Sequence, residues 1–182
     1  MSAQQVILVN EADEPIGVMD KMEAHRKALL HRAFSIFIFN SRGEMLLQQR
    51  ADNKYHSPGL WTNACCSHPS PGEETAVAAS RRLKEEMGFT TTIEEALSFT
   101  YKTTFSNGLT EFEFDHVFTG IYDETIVPDK EEVKDFCFKS VLEISQELDK
   151  YPLQYTSWFH IAFPQVKEWA GEKFGLIYEI AQ

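Results

Sequence analysis

Ser67-His68-Pro69-Ser70-Pro71-Gly72-Glu73-Glu74-Thr75-Ala76-Val77-Ala78-Ala79-Ser80-Arg81-Arg82-Leu83-Lys84-Glu85-Glu86-Met87-Gly88-Phe89 begins as a Pro- and Gly-rich loop and continues as a helix. The pattern predicts that helix over Glu73 to Met87. Ala76, Ala79, Leu83 and Met87 fall on one face, and Gly88 stands where a left-handed C-terminal cap belongs. Glu85 and Glu86 in the last turn offer adjacent hard oxygen ligands of the kind Mg²⁺ takes when it also bridges phosphates. Acidic pairs on helices are also common as plain solvated faces, so this pair needs partners elsewhere in the chain before it means a site.

Working outward, Val6 to Val9 and Ile16 to Met19 read as short strands around the turn Glu11-Ala12-Asp13-Glu14-Pro15. Ala33 to Phe39 is apolar on both faces and rich in β-branched and aromatic residues, which predicts a fully buried strand. The turn Asn40-Ser41-Arg42-Gly43 leads to a second strand, Glu44 to Arg50, and Asp52 to Asn63 reads as a polar loop. Leu97 to Phe105 and Leu109 to Tyr122 form a hairpin on Ser106-Asn107-Gly108, and Asp135 to Lys139 is one more strand. Ser140 and Glu143 form a capping box for a helix towards Lys150. A last helix, Thr156 to Phe174, contains Pro164 and should be kinked or broken there. No repeat or linker divides the chain, so the expectation is one domain over 1–182, of the α+β class, with a mixed sheet sandwiched between helices.

The 182 residues are 43% hydrophobic and 13% aromatic, which excludes disorder and supports a core without disulfide staples. Lys plus Arg number 17 against 28 Asp plus Glu, a net charge of −11, so broad attraction to nucleic acid or anionic lipid is not expected. A phosphorylated ligand would need a local cation cluster or a metal. The longest apolar run, Phe34 to Phe39, is far too short to span a membrane. Met1 to Pro15 lacks the basic flank and apolar stretch of a secretory signal. Three cysteines, Cys65, Cys66 and Cys137, make no disulfide framework and fit a reducing, cytoplasmic setting.

The quoted stretch resembles the Nudix box, a loop–helix–loop that holds a divalent metal over a diphosphate, with Glu73, Arg81, Glu85, Glu86 and Gly88 at the box positions. Ser67 replaces the leading Gly, and Arg82 replaces the Glu that hydrolases carry after the box Arg. The overlapping Trp61-Thr62-Asn63-Ala64-Cys65-Cys66-Ser67-His68-Pro69 resembles type I isopentenyl-diphosphate isomerase, a divergent Nudix-fold family, and the likeness runs from His25 to Trp158. It implies reversible isomerisation of isopentenyl to dimethylallyl diphosphate, in isoprenoid biosynthesis. An alkene carbon is protonated, a proton leaves C2, and the diphosphate stays intact.

By the same resemblance Cys66 and Glu113 are the acid/base pair, with Tyr101 as a hydroxyl relay. His25, His31, His68, Glu111 and Glu113 are implied metal ligands, and Glu86 carries the Mg²⁺ that rides in with the diphosphate. Lys21, Arg50, Lys54 and Arg82 match the family's basic residues around the diphosphate, and Trp158 its aromatic wall. Three His, two carboxylates and a water suit a six-coordinate Mn²⁺ or Mg²⁺, with Zn²⁺ as another occupant. Period 2 independently places Glu111, Glu113 and Asp115 on one face of their strand and Phe112, Phe114 and His116 on the other. A Cys-x-His on a strand likewise puts Cys66 and His68 on one face.

The remaining histidines, His56, His116 and His160, read as structural or surface residues, Trp61 as structural, and Cys137 as packing. Residues 1–30 are expected to complete the site as an arm and helices within 140–182 to cover it, in a monomer or weak homodimer. The partner expected is a small prenyl diphosphate, with no nucleic acid and no membrane. The competing readings are a Nudix hydrolase of a nucleoside diphosphate derivative and, behind it, a catalytically dead Nudix-fold binding module. Arg82 and a cysteine that hydrolysis does not require count against the first, and the complete set Cys66, Tyr101, Glu111 and Glu113 against the second.

Overall fold

Strand β3 (His31–Phe39) is buried on both faces, as its composition requires, and the other elements are arranged around it in the computed structural model, which describes residues 4–54 and 56–175. It runs parallel to β8 (Thr110–Ile121), in register from His31 opposite Glu113 to Phe39 opposite Ile121. It is antiparallel to β1 (Gln5–Val9), β4 (Met45–Arg50) and the three-residue β6 (Cys65–Ser67). β2 (Pro15–Asp20) pairs outside β1, β5 (Trp61–Thr62) and β9 (Val133–Lys139) flank β4, and β7 (Ile93–Thr104) forms the hairpin with β8.

Alternation along β3 separates two cores. Phe34, Ile36 and Ile38 pack against Ala78, Ala79, Leu83 and Met87 of α2 (Thr75–Met87). Phe37 and Phe39 face the other way, against Ile144 of α3 (Val141–Lys150) and Phe159, Phe163, Val166 and Ala170 of α4 (Ser157–Phe174). The result is the expected α+β arrangement, a mixed sheet between helices. On the α4 side, β8 contributes Val117 to the apolar core and then, two residues apart, buried Asp115, Glu113 and Glu111. That face therefore turns from oil to acid along a single strand. No helix among the described residues is long and apolar enough to cross a membrane.

The punctuation of the chain is realised with two differences. The Ser140–Glu143 capping box is complete, and Gly108 takes φ 83° in the hairpin turn. α2 starts at Thr75 rather than Glu73. Glu73 instead folds back to accept from Ser70 N and to grip Arg81 Nε and Nη2, both at 2.8 Å. α4 continues unbroken through Pro164. Buried Phe159, Ala162 and Phe163 before the proline and Val166 and Ala170 after it hold both halves in one helix, outweighing a penalty of about 3 kcal/mol.

Gly88 caps α2 at φ 79°, and a Cβ there would lie 2.0 Å from the Val127 carbonyl oxygen. Gly88→Ala is expected to destabilise the fold by more than ~2 kcal/mol, through the left-handed backbone and the backbone clash together. Differential scanning calorimetry should show the midpoint falling by about 5 °C or more. An unchanged midpoint would mean the Val127 segment moves aside freely.

Candidate active site

α1 (Lys21–Lys27) is capped by Asp20, whose side chain accepts from Glu23 N, and ends at Ala28 in the left-handed conformation. That residue reverses the chain, so that His25 in α1 and His31 at the start of β3 face one another, Nε2 to Nε2 at 3.3 Å. His68, just beyond β6, completes a cluster of three rings with centroids 5.0 to 5.9 Å apart. Register places Glu113 beside His31. Glu113 Oε1 lies 2.9 Å from His68 Nε2, 3.4 Å from His31 Nε2 and 4.0 Å from His25 Nε2.

All four residues are buried, and their ligand atoms lie within 4.8 Å of one another. His31 Nδ1 donates to Leu29 O at 2.8 Å, which leaves the Nε2 lone pair directed into the cluster. Burial, then the neighbouring His68 ring, holds His25 down to about 3; burial, then Lys21, holds His68 down to about 4. Both rings are therefore neutral at pH 7, the form that binds metal. Three imidazoles and one carboxylate fit a divalent cation.

Glu111 stands beside this group rather than inside it. The Tyr101 hydroxyl donates to Glu113 Oε2 at 2.6 Å and approaches Glu111 Oε2 at 3.3 Å, linking the two carboxylates. Burial and the neighbouring Glu113 charge push Glu111 well above the usual carboxylate range. Burial acts the same way on Glu113, but His68 and His31 overcome it and hold Glu113 well below that range. Tyr101 is pushed up by burial and by both glutamates, and so keeps its proton.

Cys66 and His68 line the same cavity of about 350 Å³, although β6 ends at Ser67 and His68 follows it in a loop. Burial, then the Asp115 carboxylate, raises the Cys66 thiol far above its ordinary value, so at neutral pH it is S–H. Lys21, Arg50, Lys54 and Arg82 open onto this cavity together with Tyr101, Glu111, Glu113 and Trp158. Lys54 pairs with Glu132, whereas Arg82 holds Glu86 at 2.5 Å and Glu85 at 2.6 Å. Successive helical residues diverge by about 100°, so Glu85 and Glu86 do not form an adjacent ligand pair. Glu86 is buried against Gln48 and Arg82 at the cavity, and Glu85 points to the surface between Arg81 and Arg82.

Trp158 is at once a core residue, 4% exposed, and part of the cavity wall. The Arg50 guanidinium lies 5.1 Å from its ring centroid. His56, expected to be structural or superficial, belongs to this wall. It stacks on Phe105 at 4.8 Å, meets Trp158 edge-on at 5.5 Å, and brings Nε2 to 3.4 Å from Glu111. Nothing in the polar loop that carries His56 announces this placement. His116 and His160 do lie apart from the site, in contact with Asp13 and Glu95 and with Pro152 O respectively. Trp61 is absent from the cavity, with Lys139 over its ring, and Cys137 packs at the edge of the second core. Three buried residues given no role from the sequence lie behind Cys66: Ser35 and Asn63 in contact with it, and Asp115 in contact with Ser35. For Asp115 alone there was a signal, its shared face with Glu111 and Glu113.

A family model described as NUDIX domain matches residues 29–159. The chain is 47% identical over 169 residues to a protein of Pectobacterium atrosepticum named isopentenyl-diphosphate Delta-isomerase, covering 93% of this chain and 94% of that one. It is 42% identical over 175 residues to a protein of the same name from Streptomyces avermitilis, covering 92% and 88%. Among solved structures it is similar to a protein from Deinococcus radiodurans, with TM-score 0.68 and 20% identity over 81% of this chain and 90% of that one. A MutT protein from Methanosarcina mazei has TM-score 0.62 and 20% identity over 76% and 94%. At that identity the two structures speak for the fold alone, whereas the sequence relatives cover nearly the whole chain. The chain belongs to the isopentenyl-diphosphate Delta-isomerase family, within the Nudix fold.

Proposed function

We propose that the protein interconverts isopentenyl diphosphate and dimethylallyl diphosphate. The observation that carries this reading is the meeting, in one buried cavity, of a protonated thiol, a tyrosine-linked carboxylate and four basic side chains. The basic group receives the diphosphate. Lys21, Arg50, Lys54 and Arg82 neutralise its charge, and Arg82 and Lys54 exchange their present partners Glu86 and Glu132 for phosphate oxygens. Glu86, so released, is placed to share the Mg²⁺ that accompanies the diphosphate.

The hydrocarbon end then lies between Cys66 and Glu113. In the isopentenyl to dimethylallyl direction Cys66 gives its proton to C4 and Glu113 takes one from C2, while the double bond moves from C3–C4 to C2–C3. The pKa directions favour this division, since burial keeps Cys66 as S–H and the imidazoles keep Glu113 ionised. The proton gained by Glu113 must leave, by way of Tyr101 or the cavity mouth, and Cys66 must regain one before the next turnover. Trp158 faces the tertiary, cation-like carbon, where an indole contributes about 1–2 kcal/mol when desolvated.

His25, His31, His68 and Glu113, with Glu111 beside them, would hold a divalent metal, whose charge would order Glu113 and tune its basicity. Mn²⁺ or Zn²⁺ suits a nitrogen-rich set better than Mg²⁺. Lys21 and His25 come from the segment 1–30, and Trp158 from the C-terminal helices. This fits an arm that completes the site and a helical cover, and a small prenyl diphosphate as its partner.

Incubation with isopentenyl diphosphate and Mg²⁺ or Mn²⁺ in D₂O, followed by proton NMR, should show deuterium entering the methyl group of dimethylallyl diphosphate with no phosphate released. An unchanged alkene beside released phosphate would establish a hydrolase instead. Cys66→Ala should lower turnover by at least about 10²–10⁴-fold while leaving metal content intact. Glu113→Gln should cost both metal and rate, and full activity with metal retained would move the acid/base role elsewhere. Saturating metal-free protein with Mn²⁺ or Zn²⁺ at about 100 times Kd should add about 2.7 kcal/mol of stability. The thermal shift should vanish in His68→Ala, and an equal shift there would refute the four-residue site.

A further inference from the structure

Behind Cys66 lies a set of buried polar side chains that touches neither the imidazole cluster nor the basic group. Cys66 sits on β6 directly opposite Ser35 of β3. Its Sγ donates to Asn63 Oδ1 at 3.1 Å and lies 3.4 Å from Ser35 Oγ. Ser35 Oγ donates to Asp115 Oδ2 at 2.8 Å. The Asn63 amide nitrogen donates to Ile36 O at 3.1 Å and to Cys65 O at 2.9 Å. Thr62 Oγ1 donates to the same Asn63 Oδ1 at 2.9 Å. Asn63, Ser35 and Asp115 are 0%, 4% and 2% exposed.

Polar groups in a core cost free energy unless each finds a partner, and strand pairing at Ser35 would be served equally well by a small apolar residue. The bond directions show what the arrangement does. Backbone carbonyls only accept, so both amide hydrogens of Asn63 are committed to Ile36 O and Cys65 O. The amide therefore cannot flip, and Oδ1 is fixed towards Cys66 and Thr62. On the other side Ser35 is fixed in turn by Asp115. A cysteine at a cavity wall has three staggered χ1 wells, and contacts on two sides of the sulfur select one of them.

We infer that Ser35 and Asn63, with Asp115 behind Ser35, are positioning residues that hold the Cys66 sulfur in one rotamer against the substrate. The inference rests on the isomerase reading for its kinetic consequence and on geometry alone for the sulfur.

The test compares Ser35→Ala and Ser35→Thr with wild type, each verified as folded by circular dichroism. Turnover of isopentenyl diphosphate is measured, together with the rate at which iodoacetamide alkylates Cys66, followed by mass spectrometry. Ser35→Ala should lower kcat by about tenfold to a hundredfold with KM nearly unchanged, the cost of a misplaced reacting group. It should also raise alkylation several-fold as the sulfur becomes free to rotate, and Ser35→Thr, which restores a hydroxyl, should recover most of both changes. If Ser35→Ala fails to fold, Asp115→Asn is measured the same way, with a smaller loss of kcat expected because an oxygen acceptor for Ser35 remains. Wild-type kcat and alkylation in Ser35→Ala would overturn the inference, as would a loss that Ser35→Thr does not recover. If the wild type itself does not isomerise, yet alkylation rises in Ser35→Ala and reverts in Ser35→Thr, the isomerase reading fails and the positioning role stands.

Discussion

A carboxylate cannot be buried alone, and Glu113 is buried at the meeting point of three imidazole rings. Removing an unpaired carboxylate from water costs several kcal/mol, so its position is tolerable only with the neighbours it has. Much of the surrounding structure meets that demand. The parallel pairing of β3 with β8 brings His31 beside it, the short helix α1 lays His25 over it, and β6 delivers His68. Tyr101 takes its second oxygen, while burial and the Glu113 charge push Glu111 up and the imidazoles hold Glu113 down.

The contrast with a phosphate-cleaving site of the same fold is concentrated in α2. The helix keeps the cradle, with Glu73 and Arg81 bound together and Gly88 closing the last turn. At Arg82, however, a cation stands where a hydrolase places a metal-bearing carboxylate, and it already grips Glu86. The charge reversal leaves a cation in the last turns of the helix, paired with both Glu85 and Glu86. Cys66 and Glu113 line the same cavity as Arg82.

The sequence was most legible where one residue type has one physical meaning. The two-faced apolar run Ala33 to Phe39 could only be a central strand, and Gly88, Gly108 and the Ser140–Glu143 box mark their turns and cap. The alternation in Glu111 to His116 placed the acidic face correctly, and the family likeness supplied the reason for that face to be buried. Spacing alone could not pair His25 with His31, because their meeting depends on the left-handed Ala28. Nor could adjacency show that Glu85 and Glu86 part company around the helix. His56 and Ser35 stayed invisible because each acts through neighbours distant in sequence, and a lone polar residue has no period. At Pro164 a local rule was outvoted by apolar contacts on either side of it.

The four converging ligands are contributed by α1, β3, the segment after β6, and β8, so a bound cation would join the N-terminal helix to strands already paired with one another. The N-terminal hairpin meets the central sheet through Leu8 opposite His31 and a hydrogen bond from Val9 N to Leu30 O, with the Asp13 clasp on Arg32 and His116 beside them. Since His25 lies on the helix that follows this hairpin, the cation would be a non-covalent cross-link closing a loop from His25 to Glu113, and the entropy of that loop would be carried by coordination bonds. Metal content would then change how firmly the hairpin of β1 and β2 is held, and hydrogen exchange in those two strands would report it as directly as any change at the site.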